Sequence, residues 1–306
     1  MTDAPLFSIF IPTWNNLPFL KLCVESIRRN SAYRHEILVF VNDGSDGTLE
    51  WVREQGLKYR HSPHNVGVCW AMNALRPLMS TEYVAFVNDD MYMLPGWDKP
   101  LWESISRCGG NRRWFFASTI IEPDARDRSY ISADFGRTPE EFSEQALLEA
   151  APSFNRADWH GASKPPTVVH RDMWDLVGGY SIEYSPGLGS DPDFNAKLWL
   201  AGVRDFIGIG SSLVYHFKSV SVDRVVKNDG NIQFLRKWGL TIRAFRQTML
   251  NTDEPASEPL RTDSRKLRNE KLRSAIKKLL TVWKNPDAPT LWDSKPGDIT
   301  ASVDKK

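Results

Sequence analysis

Residues 82–90 read Glu-Tyr-Val-Ala-Phe-Val-Asn-Asp-Asp, an apolar run that stops in three polar residues, Asn88, Asp89 and Asp90. Tyr83 to Val87 has the β-branched and aromatic composition of a strand. A strand that ends in two carboxylates delivers them to the rim of an open α/β sheet, where such sheets bind ligands. Adjacent carboxylates repel each other unless sugar hydroxyls or a cation hold them, and a hard divalent ion carrying phosphate oxygens is the simplest such partner. An acidic turn is the plain alternative. A second acidic site lies about a hundred residues on, where the glycine-rich loop Gly187-Leu-Gly-Ser-Asp-Pro-Asp-Phe194 enters an apolar-periodic segment. Asp-Pro is ordinary helix-start grammar, placing Asp191 at or near the N-cap and Pro192 in the first turn. That grammar explains neither Asp193 nor so small and open a loop.

The elements that position these groups alternate through the first ninety residues. Strands are expected at Phe7 to Ile11, Glu36 to Val41, Leu57 to His61 and Tyr83 to Val87, with helices at Leu17 to Arg29, Gly47 or Thr48 to Val52, and Gly67 to Leu78. Strand–helix alternation implies a parallel sheet with right-handed crossovers. In a doubly wound sheet, four polar segments then face one crevice: Pro12-Thr13-Trp14-Asn15, Asn42 to Thr48, His64 to Gly67, and Asn88 to Asp90. Helix starts at Gly47 and Gly67 favour an anion, and Trp14 is suited to stack on a base.

After Pro95 the pattern loosens. Further strands are expected at Trp114 to Ile121, Thr167 to His170, 203–207 and 212–216, with helices near 139–149 and at Arg171 to Val177 and Gly230 to Trp238. The expected division is a main domain over 1–245, in two halves, 1–95 and 96–245. A linker over 246–264 and a basic helical tail over 265–306 follow. In the tail, Leu267, Leu272, Ile276, Leu279, Leu280 and Trp283 share one face of a basic helix. Such a helix suits an anionic membrane surface; docking on its own domain is the alternative.

Composition narrows the classes. The chain has 306 residues, 41% hydrophobic and 25% charged, with a net charge of +1, so there is no electrostatic case for nucleic acid. Cys23, Cys69 and Cys108 are scattered and odd in number, which points to a reducing compartment without a disulfide framework or zinc site. No signal-peptide pattern and no membrane-span pattern is expected, consistent with a cytoplasmic protein.

Taken together, these segments resemble glycosyltransferase family 2, the inverting enzymes of the GT-A fold, an α/β architecture with a mostly parallel sheet flanked by helices. Ile11-Pro-Thr-Trp-Asn15 resembles its opening strand, and Asn42-Asp-Gly-Ser-Asp-Gly-Thr48 its acidic turn, one residue short. Asn65-Val-Gly-Val-Cys-Trp-Ala-Met-Asn73 is similar to its Asn-x-Gly-x-x-x-Ala-x-Asn pattern. Asn88-Asp-Asp90 stands at its Asp-x-Asp site, with Asn in place of the first acid. Gly178-Gly179 followed by Asp191-Pro-Asp193 resembles the second acidic motif, with Ser190 where a Glu often stands. Val214-Tyr-His216 and Lys237-Trp-Gly239 resemble the closing elements. The resemblance spans roughly residues 6–240.

The resemblance implies roles by position. Asp43 reads the nucleobase with Pro12, Thr13 and Trp14 against it, and Asn65, Asn88 and Asp89 complete the donor site. Asp90 and His216 hold Mn2+ or Mg2+, and Asp191 is the catalytic base. Trp159, His160 and Asp193 are weaker acceptor-side candidates; for His160, loop packing is an equal reading. The implied donor is a UDP- or dTDP-linked sugar and the acceptor a glycan or lipid-linked hydroxyl, in bacterial surface polysaccharide assembly. The chemistry itself asks for these types: a divalent cation for the departing diphosphate and a carboxylate base on the acceptor side. A helix N-terminus is expected to lower the pKa of Asp191. Other classes fit less well. A sugar nucleotidyltransferase wants a glycine-rich phosphate loop after the first strand, and a dinucleotide binder wants Gly-x-Gly-x-x-Gly; the first strand here ends in Pro12-Thr13-Trp14. A degenerate, purely sugar-nucleotide-binding relative stays open through Asn88.

Overall fold

The computed structural model describes residues 4–125, 128–154, 156–218, 227–258, 260, 263–284 and 286. Its centre is a ten-stranded mixed sheet. Strands β1 (Phe7–Trp14), β2 (Glu36–Asn42), β3 (Lys58–Ser62) and β4 (Tyr83–Phe86) alternate with helices α1 (Leu17–Asn30), α2 (Thr48–Glu54) and α3 (Gly67–Leu75). These four strands run parallel in the order β3-β2-β1-β4. Then follow β5 (Met91–Met93), α4 (Asp98–Arg107), β6 (Trp114–Glu122), β7 (Ile131–Ser132), α5 (Glu144–Ala150), β8 (Trp159–His160), β9 (Thr167–His170) and α6 (Arg171–Val177). The chain closes with α7 (Ser190–Leu200), β10 (Asp205–His216), α8 (Gly230–Trp238), α9 (Ile242–Thr248) and α10 (Ser264–Leu280).

Strand periodicity explains the layers. Side chains alternate faces along a strand, and both faces here are apolar. Phe7, Ile9 and Ile11 of β1 with Val39 and Val41 of β2 pack on one side with Leu20, Val24 and Ile27 of α1. Phe10, Leu38 and Phe40 pack on the other with Met72 and Leu75 of α3, Trp174 of α6 and Phe194 of α7. Burial on both faces is the mark of a sheet covered by helices.

Two features differ from the sequence expectation. The short strands expected at 203–207 and 212–216 are one strand, β10, whose pairing with β6 shifts register between Ile209 and Leu213. Such a bulge hides continuity because it breaks the two-residue period. The sheet is also less uniformly parallel than strand–helix alternation implies. Strand β9 lies antiparallel between β4 and β6, and β5 lies antiparallel on β10. Residues 253–256, within the stretch whose composition reads as a linker, are bonded to the β8 segment: His160 N donates to Glu254 O at 2.8 Å and Ala256 N to Asp158 O at 2.9 Å. No helix among the described residues is long and apolar enough to cross a membrane.

Candidate active site

The polar strand ends meet in one cleft of about 390 Å³. Pro12, Thr13 and Trp14 come from the end of β1, Asn65 from the turn before α3, and Asn88, Asp89 and Asp90 from the segment after β4. Asp191 and His216 line the same cleft from the second half of the chain. Thr13 is 2% exposed, and its Oγ1 has no hydrogen-bond partner among the described residues.

Asp43 stands apart from this group. It is not in the cleft lining. Its residue adopts φ +63, its carboxylate accepts from Asn15 Nδ2 at 2.9 Å, and Asn15 Oδ1 in turn accepts from Gly44 N at 2.8 Å. Burial acts to raise its pKa, but hydrogen bonds from Ser45 and Asn15 outweigh it and hold the carboxyl below its ordinary value. Its position is the turn beside the cleft, with Asn15 between the two strand ends.

Sheet pairing brings Asp90 to His216. Strand β5 starts immediately after Asp90 and pairs antiparallel with β10, Met91 opposite His216. Phe217 N then donates to Asp90 O at 3.1 Å. His216 Nε2 lies 3.4 Å from Asp90 Oδ1. Its Nδ1 lies 3.1 Å from Glu122 Oε2 at the end of β6, the strand parallel to β10 on its other side. Burial alone would lower the imidazole's pKa, but Asp90 and Glu122 overcome it and lift it to about 9. Without a metal ion the imidazolium is itself the cation there at neutral pH, and an ion bound at Nε2 would displace its proton. An imidazole fixed by a carboxylate on one nitrogen and open toward a second carboxylate on the other is the arrangement metal-binding histidines use. Among the described residues no group of three or more His, Cys, Asp or Glu side chains is placed to hold a metal by itself. Asp90 and His216 fit as two protein ligands of an ion that keeps waters and ligand phosphates.

Asp191 sits in the first turn of α7, two positions past the cap, which is Gly189 at φ +88. Tyr180 Oη donates to Asp191 Oδ1 at 3.0 Å. Tyr180 is itself buried and stacks on Phe194, with ring centroids 4.8 Å apart and 8° between planes. Its backbone is clamped by Asn73 of α3, which donates to Tyr180 O at 2.7 Å and accepts from Tyr180 N at 2.8 Å. The expectation of a lowered pKa for Asp191 is overturned. Burial raises it to about 6, against the opposing hydrogen bond from Tyr180 and the charge of Lys164. Burial is the largest of these causes and sets the direction.

The remaining candidates lie elsewhere. Asp193 is fully buried in the first turn of α7, accepting from Trp238 Nε1 at 2.8 Å and paired with Lys237 Nζ at 2.9 Å. Trp159 is buried against Gly208, and His160 Nε2 contacts Glu258 O at 2.8 Å; neither lines the cleft. Glu122, Tyr180 and Lys164 were missed by sequence reasoning, since no local motif marks them. A further hollow lined by Arg128, Arg243, Arg246 and Asp253 shares Lys164 with the cleft.

Comparison with known proteins fits this geometry. Residues 8–137 match the family model described as glycosyl transferase family 2. Over 234 residues the chain is 26% identical to the uncharacterized protein y4gI of Sinorhizobium fredii (strain NBRC 101917 / NGR234), covering 72% of this chain and 25% of that protein. The chain thus spans about a quarter of that relative's length. A crystal structure of S. aureus TarS residues 1–349 superposes with a TM-score of 0.55 at 14% identity, covering 89% of this chain and 72% of that one. The same TarS segment in complex with UDP gives 0.51 at 15% identity, covering 90% and 71%. These likenesses establish the fold.

Proposed function

We propose that this chain, a glycosyltransferase carrying a family 2 domain on a GT-A-type fold, transfers a sugar with inversion from a UDP- or dTDP-linked donor to a hydroxyl of a glycan or lipid-linked acceptor. The observation that carries this reading is the convergence of Asp89, Asp90, His216 and Asp191 on one cleft walled by Thr13, Trp14 and Asn65. TarS was crystallised with UDP, and we carry a uridine or thymidine diphosphate leaving group over to this chain. We assign the reaction to the cytoplasm, in bacterial surface polysaccharide assembly, where nucleotide sugars are at hand.

The nucleotide lies along the ends of β1 and β4, its base against Trp14 and Thr13 and its ribose at Asp89, with Asn65 and Asn88 beside it and Asp43 bracing the turn. Asp90 and His216 would hold Mn2+ or Mg2+, which supplies neutralisation of the diphosphate charge. Glu122 keeps the His216 ring aimed at that position. Asp191 takes the acceptor's proton: as the acceptor oxygen bonds to the anomeric carbon from one face, the bond to the diphosphate oxygen breaks on the other. Tyr180 holds Asp191 Oδ1, leaving Oδ2 as the basic atom. A carboxylate with a pKa of about 6 is ionised at neutral pH yet more basic than an exposed one, which suits general-base work.

The test is isothermal titration of UDP with and without Mn2+. UDP should bind more tightly with the metal, and Asp90→Ala should abolish the difference while the protein stays folded. Unchanged metal dependence in Asp90→Ala would remove the assignment. Asn88, where an acid is usual, favours a second reading of binding without transfer. Manganese-dependent hydrolysis of UDP-sugars by the wild-type chain, and its loss in Asp191→Asn, separates the two.

A further inference from the structure

We propose that α10 seats the protein on an anionic lipid surface through an apolar stripe turned away from the rest of the chain. Ser274 is the buried residue of this helix, and its Oγ accepts from Thr241 N at 3.3 Å. Lys278 Nζ donates to Arg236 O at 2.9 Å, and the Arg236 guanidinium donates to the carbonyls of Thr281, Val282 and Lys284. One side of the helix is therefore docked on α8 and α9. At about 100° per residue, Leu272, Ile276, Leu279 and Leu280, continued by Trp283, fall on an arc roughly opposite Ser274, whereas Leu267, expected on the same face, falls on the Ser274 side and is half-buried. They are exposed accordingly, from 53% for Ile276 to 94% for Trp283. Docking on the domain and display of the apolar face coexist in this helix.

Charge selects the occupant. The helix carries seven Lys or Arg residues and one acid, Glu270, which is paired with Arg273 at 2.8 Å. Arg268 and Lys271 flank the stripe on one side and Arg273 and Lys277 on the other, while Lys278 is held on the docked side by Arg236 O. A second copy of the same face would set these cations against their counterparts. A bilayer interface with anionic headgroups answers both halves of the pattern. Acyl chains take the leucines and isoleucine, the headgroups take the flanking cations, and a tryptophan at the end belongs at the interface. The membrane contact itself does not depend on the glycosyl-transfer reading.

The test is cosedimentation of the full chain with vesicles of phosphatidylcholine containing about 30% phosphatidylglycerol, a composition whose negative potential attracts basic segments. Binding is expected to those vesicles, to fall about tenfold or more as salt is raised because exposed charges are screened, and to be weak on pure phosphatidylcholine. Leu279→Gln/Leu280→Gln/Trp283→Ser should lose that binding while circular dichroism and UDP titration match the parent. Equal binding by the triple variant overturns the proposal. So does a concentration-dependent dimer, seen by light scattering, that forms without vesicle binding and vanishes in the triple variant.

Discussion

Asp191 and Asp193 show how two neighbouring acids on one helix diverge. Asp191 faces the cleft with a pKa raised to about 6. A base that must be ionised loses activity as it is protonated, so kcat should rise with pH through about 6 and level off above it. Asp191→Asn should lower transfer about 10²–10⁴-fold and leave UDP affinity near the parent value, as measured by product formation and titration. The same change has a stability consequence. The folded chain keeps the Asp191 proton up to about pH 6, while the unfolded chain releases it near the ordinary value of 3.8. Stability therefore falls as pH rises through that window, and ionised Asp191 is a cost at neutral pH. Asp191→Asn should raise Tm by about 2 °C or more at pH 7.5 and by nothing below pH about 4, where both side chains are neutral. Asp193→Asn should do the opposite, costing about 1–3 kcal/mol by thermal denaturation. It leaves Lys237 without its buried partner, although the bond from Trp238 survives. Glu122→Gln gives a third contrast. It removes the carboxylate behind His216, so Mn2+ enhancement of UDP binding should weaken about 10–100-fold with little change in Tm.

At the scale of elements, the site depends on α3 being pinned to the loop before α7. Val68 N donates to Pro186 O at 3.0 Å, and a Cβ on Gly67 would lie 2.7 Å from Pro186 Cα at a residue with φ +78. Gly67→Ala is opposed by both the backbone conformation and the contact, so it should cost about 1–3 kcal/mol and separate the walls of the cleft. Differential scanning calorimetry and UDP titration should both register it. Asn73 makes the second link. Its side chain satisfies both backbone groups of Tyr180, and Gly179 leaves room for it, since a Cβ there would stand 2.3 Å from Asn73 Oδ1. The Asn-x-Gly-x-x-x-Ala-x-Asn pattern is thus a structural clamp at both ends: Gly67 against the loop, and Asn73 under the residue that holds the Asp191 carboxylate.

For the whole molecule, the C-terminal stretch divides into a part that completes the fold and a part that decorates it. Asp253 N donates to His160 O at 3.1 Å, and Gly161 is needed because Thr252 Cα lies 2.4 Å from where a Cβ would stand. A chain ending after Asn251 loses these bonds, each worth about 0.5–1.5 kcal/mol, and should melt several degrees below one ending after Glu258. The chain ending after Glu258 should keep UDP binding and lose vesicle binding. Much of this molecule was legible beforehand. Alternating apolar strands and amphipathic helices set the layers, because side-chain periods of 2 and 3.6 residues are properties of the local backbone. Polar residues that stop an apolar strand mark the rim on which Thr13, Trp14, Asn88, Asp89 and Asp90 stand. Partnerships between distant segments were not legible. Only the antiparallel return of β5 on β10 sets Asp90 beside His216, only the parallel pairing of β6 and β10 sets Glu122 behind it, and only the stacking of Tyr180 on Phe194 reaches Asp191. The pKa of Asp191 belongs with them. A helix start can be read from neighbouring residues, but burial is set by everything packed around the carboxylate, and that sum exists only once the chain has folded.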